Sequence, residues 1–245
     1  MRRPGEVSLD RALSKLGLAS RADARRLIAL GRVAVNGRVI RSASTPVVPE
    51  RVRIAIDRAA AASSRAHRRV LLLHKPRGTV TTRRDPEGRQ TVFDVLGDAG
   101  RGLVAVGRLD RASTGLLVFT NDTQLANRLT DPARGVTRRY VVTVRGRVTQ
   151  EDARRLEQGL TVPAVPPRGQ AERLSASRVR IRKASARETH LIVELTEGKN
   201  RELRRLFEAV GHKPTRIHRI SFGEYELGDL QPGRWREAPA RPSSA

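Results

Sequence analysis

The spacing of apolar residues changes three times in the first sixty positions. Leu9, Ala12, Leu13 and Leu16 recur three and four apart, which predicts a helix that Gly17 can end. Ser20 followed by Asp23 reads as a capping box for a second helix, with Ala24, Leu27 and Ile28 as its stripe and Gly31 as its stop. RVAVNGRVI then alternates apolar and polar about Asn36-Gly37, a pair suited to both left-handed positions of a type I′ turn, so a hairpin is expected. VRIAID, residues 52–57, adds a strand. Residues 58–69, RAAAASSRAHRR, lose all apolar period and read as a flexible basic linker.

Beyond the linker the pattern is rich in strands. LLLHKP is a short buried strand stopped by Pro76, and LLVF (116–119) is another. YVVTVRG alternates with Tyr140, Val142 and Val144 on one face, and THLIVELTEG is a further strand. Helices are expected at TVFDVL (91–96), at DTQLANRLTD with Asn121 and Gln124 as a capping box, and at NRELRRLFEAVG, where Leu203, Leu206, Phe207 and Val210 form a stripe. Strands and helices do not alternate as parallel crossover units. The class is therefore α+β: a small two-helix and hairpin domain over residues 7–57, then a mixed, mainly antiparallel sheet domain over 70–238. Residues 239–245 read as a disordered polar tail.

Charge narrows the function. Lys and Arg total 49 against 25 Asp and Glu, a net charge of +24 on 245 residues. Such an excess points to a polyanionic partner, because cations that neutralise phosphates release condensed counterions. The bland alternative is a solvated arginine halo. With no cysteine and no paired spacing among His67, His74, His190, His212 and His218, neither a disulfide framework nor a metal site is expected. No apolar run is long enough for a membrane span, and MRRPGEVSLD lacks a signal-peptide core, so a cytoplasmic protein with no membrane partner is expected.

Common nucleotide and hydrolase motifs are missing: there is no G-x-x-x-x-G-K-[ST], no G-x-G-x-x-G after a strand and no G-x-S-x-G. The unusual feature is Asp110, set between Leu109 and Arg111 in a polar turn ahead of a core strand. It can brace a turn by accepting backbone N–H bonds. It can pair with Arg108 or Arg111 at the surface, which contributes little. Or it can be a catalytic carboxylate held by a guanidinium.

Longer motifs bear on that choice. SRADARRLIALGRVAVNGRVI, within the two-helix and hairpin layout of residues 7–56, resembles the small RNA-binding domain named after ribosomal protein S-four. GRLDRASTGLLVFTND closely resembles the signature of pseudouridine synthases of the RsuA/RluB type. HKPRGTVTTRRDPEGRQTVFDVL is similar to that family's lysine-proline entry motif, TRRYVVTVRG to its tyrosine strand, and LTEGKNRELRRLFEAVGHKPTRIHRISFGEYELGDLQPGRWRE to its C-terminal block. Together the likeness spans residues 7–237.

The resemblance implies a sheet domain with a central cleft that converts a chosen uridine of ribosomal RNA to pseudouridine without a cofactor. It makes Asp110 the catalytic carboxylate, acting at C1′ or by removing the C2′ proton, and Tyr140 the ring against the target base. Arg204 becomes the cation paired with Asp110, with Arg205 as its rival. A Tyr in register with Val142 and Val144 is equally a core residue. Arg108, Leu109, Thr114 and Leu195 fall to the substrate pocket, while Lys75, with Pro76, is read as shaping the cleft entrance.

RNA contacts are expected from Arg21, Arg25 and Arg26 on the second helix, and from Arg32 and Arg38 beside the hairpin. Arg83, Arg84 and Arg89 in the loop RRDPEGR would reach phosphate, as would Lys199, Arg201 and Arg205 in EGKNRELRR. His74, Thr123 and Asp131 depart from the family's usual Asn, Gly and His-Pro, which bears on loop contacts rather than on the catalytic trio. PEGRQTVFD and EGKNRELRR look more like the branch acting on large-subunit RNA. The expected partner is therefore ribosomal RNA, bound by a monomer. The alternatives are a small-subunit target, a non-catalytic assembly factor that binds RNA, and a basic DNA-binding protein; nothing resembling a helix-turn-helix supports the last.

Overall fold

The computed structural model describes residues 6–16, 18–19, 21–57, 59–60, 68–163 and 170–239. The chain divides into two compact units, Met1–Arg69 with Asn121–Leu125, and Val70–Thr120 with Ala126–Ala245.

In the first unit, β1 (Val7–Ser8) leads into α1 (Leu9–Lys15) and α2 (Arg21–Ala29), followed by β2 (Val33–Val35), β3 (Arg38–Ile40), β4 (Pro46–Val47), β5 (Ile54–Ile56) and β6 (Ala59–Ala60). Leu9, Ala12, Leu13, Ala24 and Ile28 are fully buried and pack with Val33 and Ile54 into one core. The helical stripes thus meet the inner face of a four-stranded sheet ordered β3-β2-β5-β6. Asn36 and Gly37 adopt φ of 50° and 83°, as the tight hairpin requires. Ala59 and Ala60 pair with β5, so these two residues of the expected linker form a strand. The remainder of that linker except Arg68 and Arg69, the capping box at Ser20, the stop at Gly17 and tail residues 240–245 lie outside the described residues.

The second unit contains β7 (Val70–Lys75), α3 (Val92–Leu96), β8 (Val104–Val106), β9 (Thr114–Thr120), α4 (Thr123–Thr130), which starts in the first unit, β10 (Arg138–Arg145), α5 (Gln150–Gln158), β11 (Leu160–Val162), β12 (Glu172–Leu174), β13 (Arg178–Ala184), β14 (Glu188–Leu195), α6 (Glu202–Ala209), β15 (Pro214–Phe222), β16 (Tyr225–Glu226) and β17 (Trp235–Ala238). Its nine-stranded sheet runs β13-β14-β10-β15-β9-β7-β17, with β16 on β15 and β8 on β9. Every pairing is antiparallel except that of β9 with β15. The sheet is mixed and mainly antiparallel, as the pattern implied. Tyr140, Val142 and Val144 do share a buried face, and Leu203, Leu206 and Phe207 of α6 join the same core.

Two helix starts show how side chains fix local structure. Thr91 caps α3 with a reciprocal bond from Asp94. The cap of α4 is Asp122, whose Oδ1 accepts from the backbone N–H of Gln124 and Leu125 at 2.9 and 3.2 Å. This corrects the Asn121–Gln124 box: a carboxylate one position later reaches both free donors. No helix among the described residues is long and apolar enough to cross a membrane.

Candidate active site

Asp110 sits in a turn between β8 and β9, and the turn is closed by backbone: the Ser113 N–H donates to the Asp110 carbonyl at 3.0 Å. The carboxylate therefore does not brace the turn in the way one sequence reading supposed. Two side chains, one partly and one fully buried, hold the loop from behind. The Thr81 hydroxyl donates to the Leu109 carbonyl at 2.8 Å. Lys75, fully buried, gives its ammonium to the carbonyls of Pro76, Ser113 and Arg111 at 3.0, 2.9 and 3.4 Å. Burial pushes that ammonium down to about 8, with the nearby Asp110 charge working against the shift. Lys75 thus stands behind the loop rather than at a cleft entrance.

The third constraint is Gly115. It begins the crossing of β9 against parallel β15 with φ at +103°, and a Cβ there would meet the Arg219 carbonyl oxygen at 2.2 Å. Only glycine lets the two backbones approach so closely. That contact fixes where β9 starts, and hence where Asp110 projects.

Asp110 opens into a cavity of about 470 Å³. Arg204, from α6, places its Nε 3.5 Å from Asp110 Oδ2, and its Nη1 reaches the Pro214 carbonyl at 3.3 Å. Asp110 is paired with this guanidinium, not with Arg108 or Arg111. Tyr140 and Leu195 form apolar wall on the sheet side, and Ile217 adds to it. Tyr140 is only 7 % exposed, so the core reading and the cavity reading of this ring are both true. The volume lies within the range of small-molecule pockets, where apolar walls carry a few placed polar groups.

The cavity wall also carries charged groups that sequence reasoning did not single out. Arg138, two positions before Tyr140 on the same face of β10, is buried and gives its guanidinium to the carbonyls of Val136, Thr196 and Leu129 at 2.9 to 3.0 Å. Its own burial lowers its pKa. Glu202 is buried at the start of α6, and burial raises its pKa to about 7 although it accepts from the Lys199 N–H at 3.1 Å. Arg219 lies opposite Tyr140 on β15 and is 2 % exposed. The available signal was alternation: Arg138 and Arg219 occupy inward register positions, Arg219 two residues from buried Ile217.

The structure brings Arg108, Leu109, Asp110, Tyr140, Leu195, Lys199, Arg201 and Arg204 to this one cavity. Thr114 is not on its wall; its hydroxyl bonds His218 Nδ1 at 2.8 Å. Arg205 turns inward, to Glu172 and the Pro163 carbonyl, which removes it as the partner of Asp110 and from easy reach of RNA. Several expected phosphate contacts are already engaged. Arg83 bonds the Leu103 carbonyl and stacks 4.2 Å over Phe93, and Arg89 forks onto Asp85 at 2.9 and 2.7 Å. Arg21 and Arg25 both reach Asp10, at 3.2 and 2.9 Å, and Arg32 pairs with Asp57. Burial would raise Asp10, but the Ser8 hydroxyl and these two arginines hold it down to about 2. Arg26, Arg38, Arg84 and Arg201 are exposed. Among the described residues no group of three or more His, Cys, Asp or Glu is placed to hold a metal.

A carboxylate clamped by a guanidinium beside a flat aromatic floor suits attack on, or stabilisation of, an electron-poor sugar carbon while a planar base is held alongside. Residues 69–209 match the model of the RNA pseudouridylate synthases, and residues 7–52 match the S4 domain. The chain belongs to the RNA pseudouridylate synthase family and is an RNA pseudouridine synthase.

It is 36 % identical over 233 residues to an uncharacterized RNA pseudouridine synthase of Aquifex aeolicus, covering 95 % of this chain and 90 % of that one. It is 38 % identical to ribosomal large subunit pseudouridine synthase B of Escherichia coli K12, covering 94 % of this chain and 78 % of the relative. A crystal structure of a pseudouridylate synthase superposes with a TM-score of 0.67 at 24 % identity, covering 95 % and 96 % of the two chains, which establishes the shared fold.

Proposed function

We propose that the protein isomerises a uridine of large-subunit ribosomal RNA, acting as a cytoplasmic monomer with Asp110 as its catalytic carboxylate. The observation that carries the assignment of Asp110 is its pairing with Arg204 at 3.5 Å in the cavity that Tyr140 and Leu195 floor. The large-subunit target is supported by the likeness to the Escherichia coli enzyme over 94 % of the chain.

In this reading the target base is drawn out of its stack and laid on Tyr140 and Leu195. Extrusion costs a few kcal/mol, which phosphate contacts from exposed cations such as Arg26, Arg38, Arg84 and Arg201 offset. As the C1′–N1 bond breaks, its electron pair leaves with uracil and C1′ becomes electron-poor. The Asp110 carboxylate meets that charge, as carboxylates do in retaining glycosidases. Uracil turns, C5 bonds to C1′, and the proton on C5 is lost as N1 gains one. The sum is an isomerisation, with no atom gained or lost. Arg204 orients the carboxylate throughout.

The test is a map of pseudouridine in both ribosomal RNAs with the gene deleted, then restored as wild type or as Asp110→Asn. The expected result is loss of a large-subunit pseudouridine that only the wild type restores. A lost small-subunit position would refute the target. Restoration by a homogeneous Asp110→Asn protein would refute the role of Asp110.

A further inference from the structure

Arg219 is the most deeply buried cation on the cavity wall, and its guanidinium is only partly used. Its Nε donates to the Leu116 carbonyl at 2.7 Å, and its Cζ lies 5.1 Å from the centroid of the Phe222 ring. Its Nη2 is buried and has no protein acceptor. Arg138, its neighbour at the cavity, spends both terminal nitrogens on carbonyls. A buried N–H left without an acceptor is costly to the fold. Such a group at a reaction cavity is a donor awaiting a ligand.

We infer that the guanidinium of Arg219, whose terminal nitrogens take no protein acceptor, is the donor that recognises an exocyclic carbonyl oxygen of the target uracil. The inference rests on the isomerase reading above and adds the part of the substrate read at this point. Depth decides between the nucleotide's acceptors. A phosphodiester continues into chain on both sides, so it must stay near the mouth of the cavity, whereas the base is a dead end and can reach a group only 2 % exposed. Position agrees: Arg219 faces Tyr140 directly across the β10–β15 pair, so a base lying on Tyr140 presents its edge to Arg219.

The chemistry suits a fixed donor. Exchanging N1 for C5 at the sugar amounts to a half-turn of uracil about the line through N3 and C6. That same half-turn exchanges O2 with O4. A donor placed against one carbonyl before the turn therefore meets the other carbonyl after it, and holds both substrate and product base without moving. A cytosine would bring its amino group to this donor in one of the two settings. Arg219 thus favours uracil over cytosine at the flipped position.

The experiment uses the full-length protein and an RNA fragment containing its mapped target. Oxygen is replaced by the weaker acceptor sulfur as 2-thiouridine or 4-thiouridine at that single position. Single-turnover isomerisation is measured for the wild type and for Arg219→Met. For the wild type, sulfur at one or both positions slows the reaction about tenfold, the worth of one such hydrogen bond. Arg219→Met slows the oxygen substrate by a similar factor and removes the sensitivity to sulfur. A purely structural arginine would slow all three substrates alike and leave that sensitivity intact, which would overturn the inference. If Arg219→Met does not fold, Arg219→Lys takes its place, and the wild-type comparison stands alone: equal rates on oxygen and both sulfur substrates overturn the inference. No isomerisation of the unmodified fragment would instead refute the target assignment.

Discussion

Replacing Lys75 by methionine tests whether the catalytic loop is held from behind. The change keeps the length of the side chain and removes the ammonium. Two charge-assisted bonds at 3.0 and 2.9 Å, to Pro76 and Ser113, and a longer one to Arg111 at 3.4 Å are lost. At ~2 kcal/mol for each short bond and less for the long one, the loss is about 5 kcal/mol. Against it stands the burial cost of the cation: a fall from 10.5 to about 8 corresponds to about 3 kcal/mol. The net destabilisation is about 2 kcal/mol, a fall in Tm of roughly 4–8 °C for a unit of this size. The Pro76 carbonyl keeps the Thr79 hydroxyl and the Arg111 carbonyl keeps the Gly78 N–H, so the loop loosens rather than collapses.

The pH dependence gives the sharper check. Between pH 8 and 10.5 the unfolded chain retains a proton on Lys75 that the folded chain has released, so this group makes stability rise with pH across that window. Lys75→Met lacks that rise. The stability gap between wild type and variant, read from urea melts, should widen by up to about 3 kcal/mol from pH 7.5 to 10.5. Single-turnover isomerisation by the variant should fall at least about tenfold while RNA affinity holds, because only the aim of Asp110 has changed. A constant gap across that range, together with an unaltered rate, would refute the bracing role.

Other expectations follow from single contacts. Glu202→Gln keeps an acceptor for the Lys199 N–H and removes a buried charge; since burial holds Glu202 at about 7, its cost grows as pH rises from 4.5 and is complete above 7. The variant should therefore melt higher than wild type at pH 8 and equally near pH 4.5, and no gain at pH 8 would contradict the burial argument. Gly115→Ala should fail to fold or melt far lower, because its Cβ meets backbone at 2.2 Å and φ is +103°; a wild-type melting curve would mean that β9 and β15 need not approach so closely. RNA affinity should drop about 10³-fold or more between 50 and 200 mM salt if six or more phosphates are neutralised, and a flat titration would remove electrostatics as the main source of binding for a chain of net charge +24.

Local chemistry made much of this protein legible in one dimension. Asn36-Gly37 dictates its turn because two adjacent positive φ angles suit few other pairs, and the stripe Leu203, Leu206, Phe207 can bury itself only as one face of a helix. Asp110 stood out because a carboxylate ahead of an all-apolar strand is unusual, and long motifs in order supplied its family. Pairings distant in sequence were not legible. Whether Arg204 or Arg205 meets Asp110 depends on how α6 is rotated over the sheet, and the apolar stripe of that helix turns Arg205 inward to Glu172 and Arg204 toward the cavity. Nothing local distinguishes Lys75 at an entrance from Lys75 behind a loop; the paired strands β7 and β9 decide it by burying the side chain beneath residues 110–113. Arg219 looked like one more arginine among many. Its burial opposite Tyr140 is a property of the register between β10 and β15, which arises only when two strands distant in sequence come together.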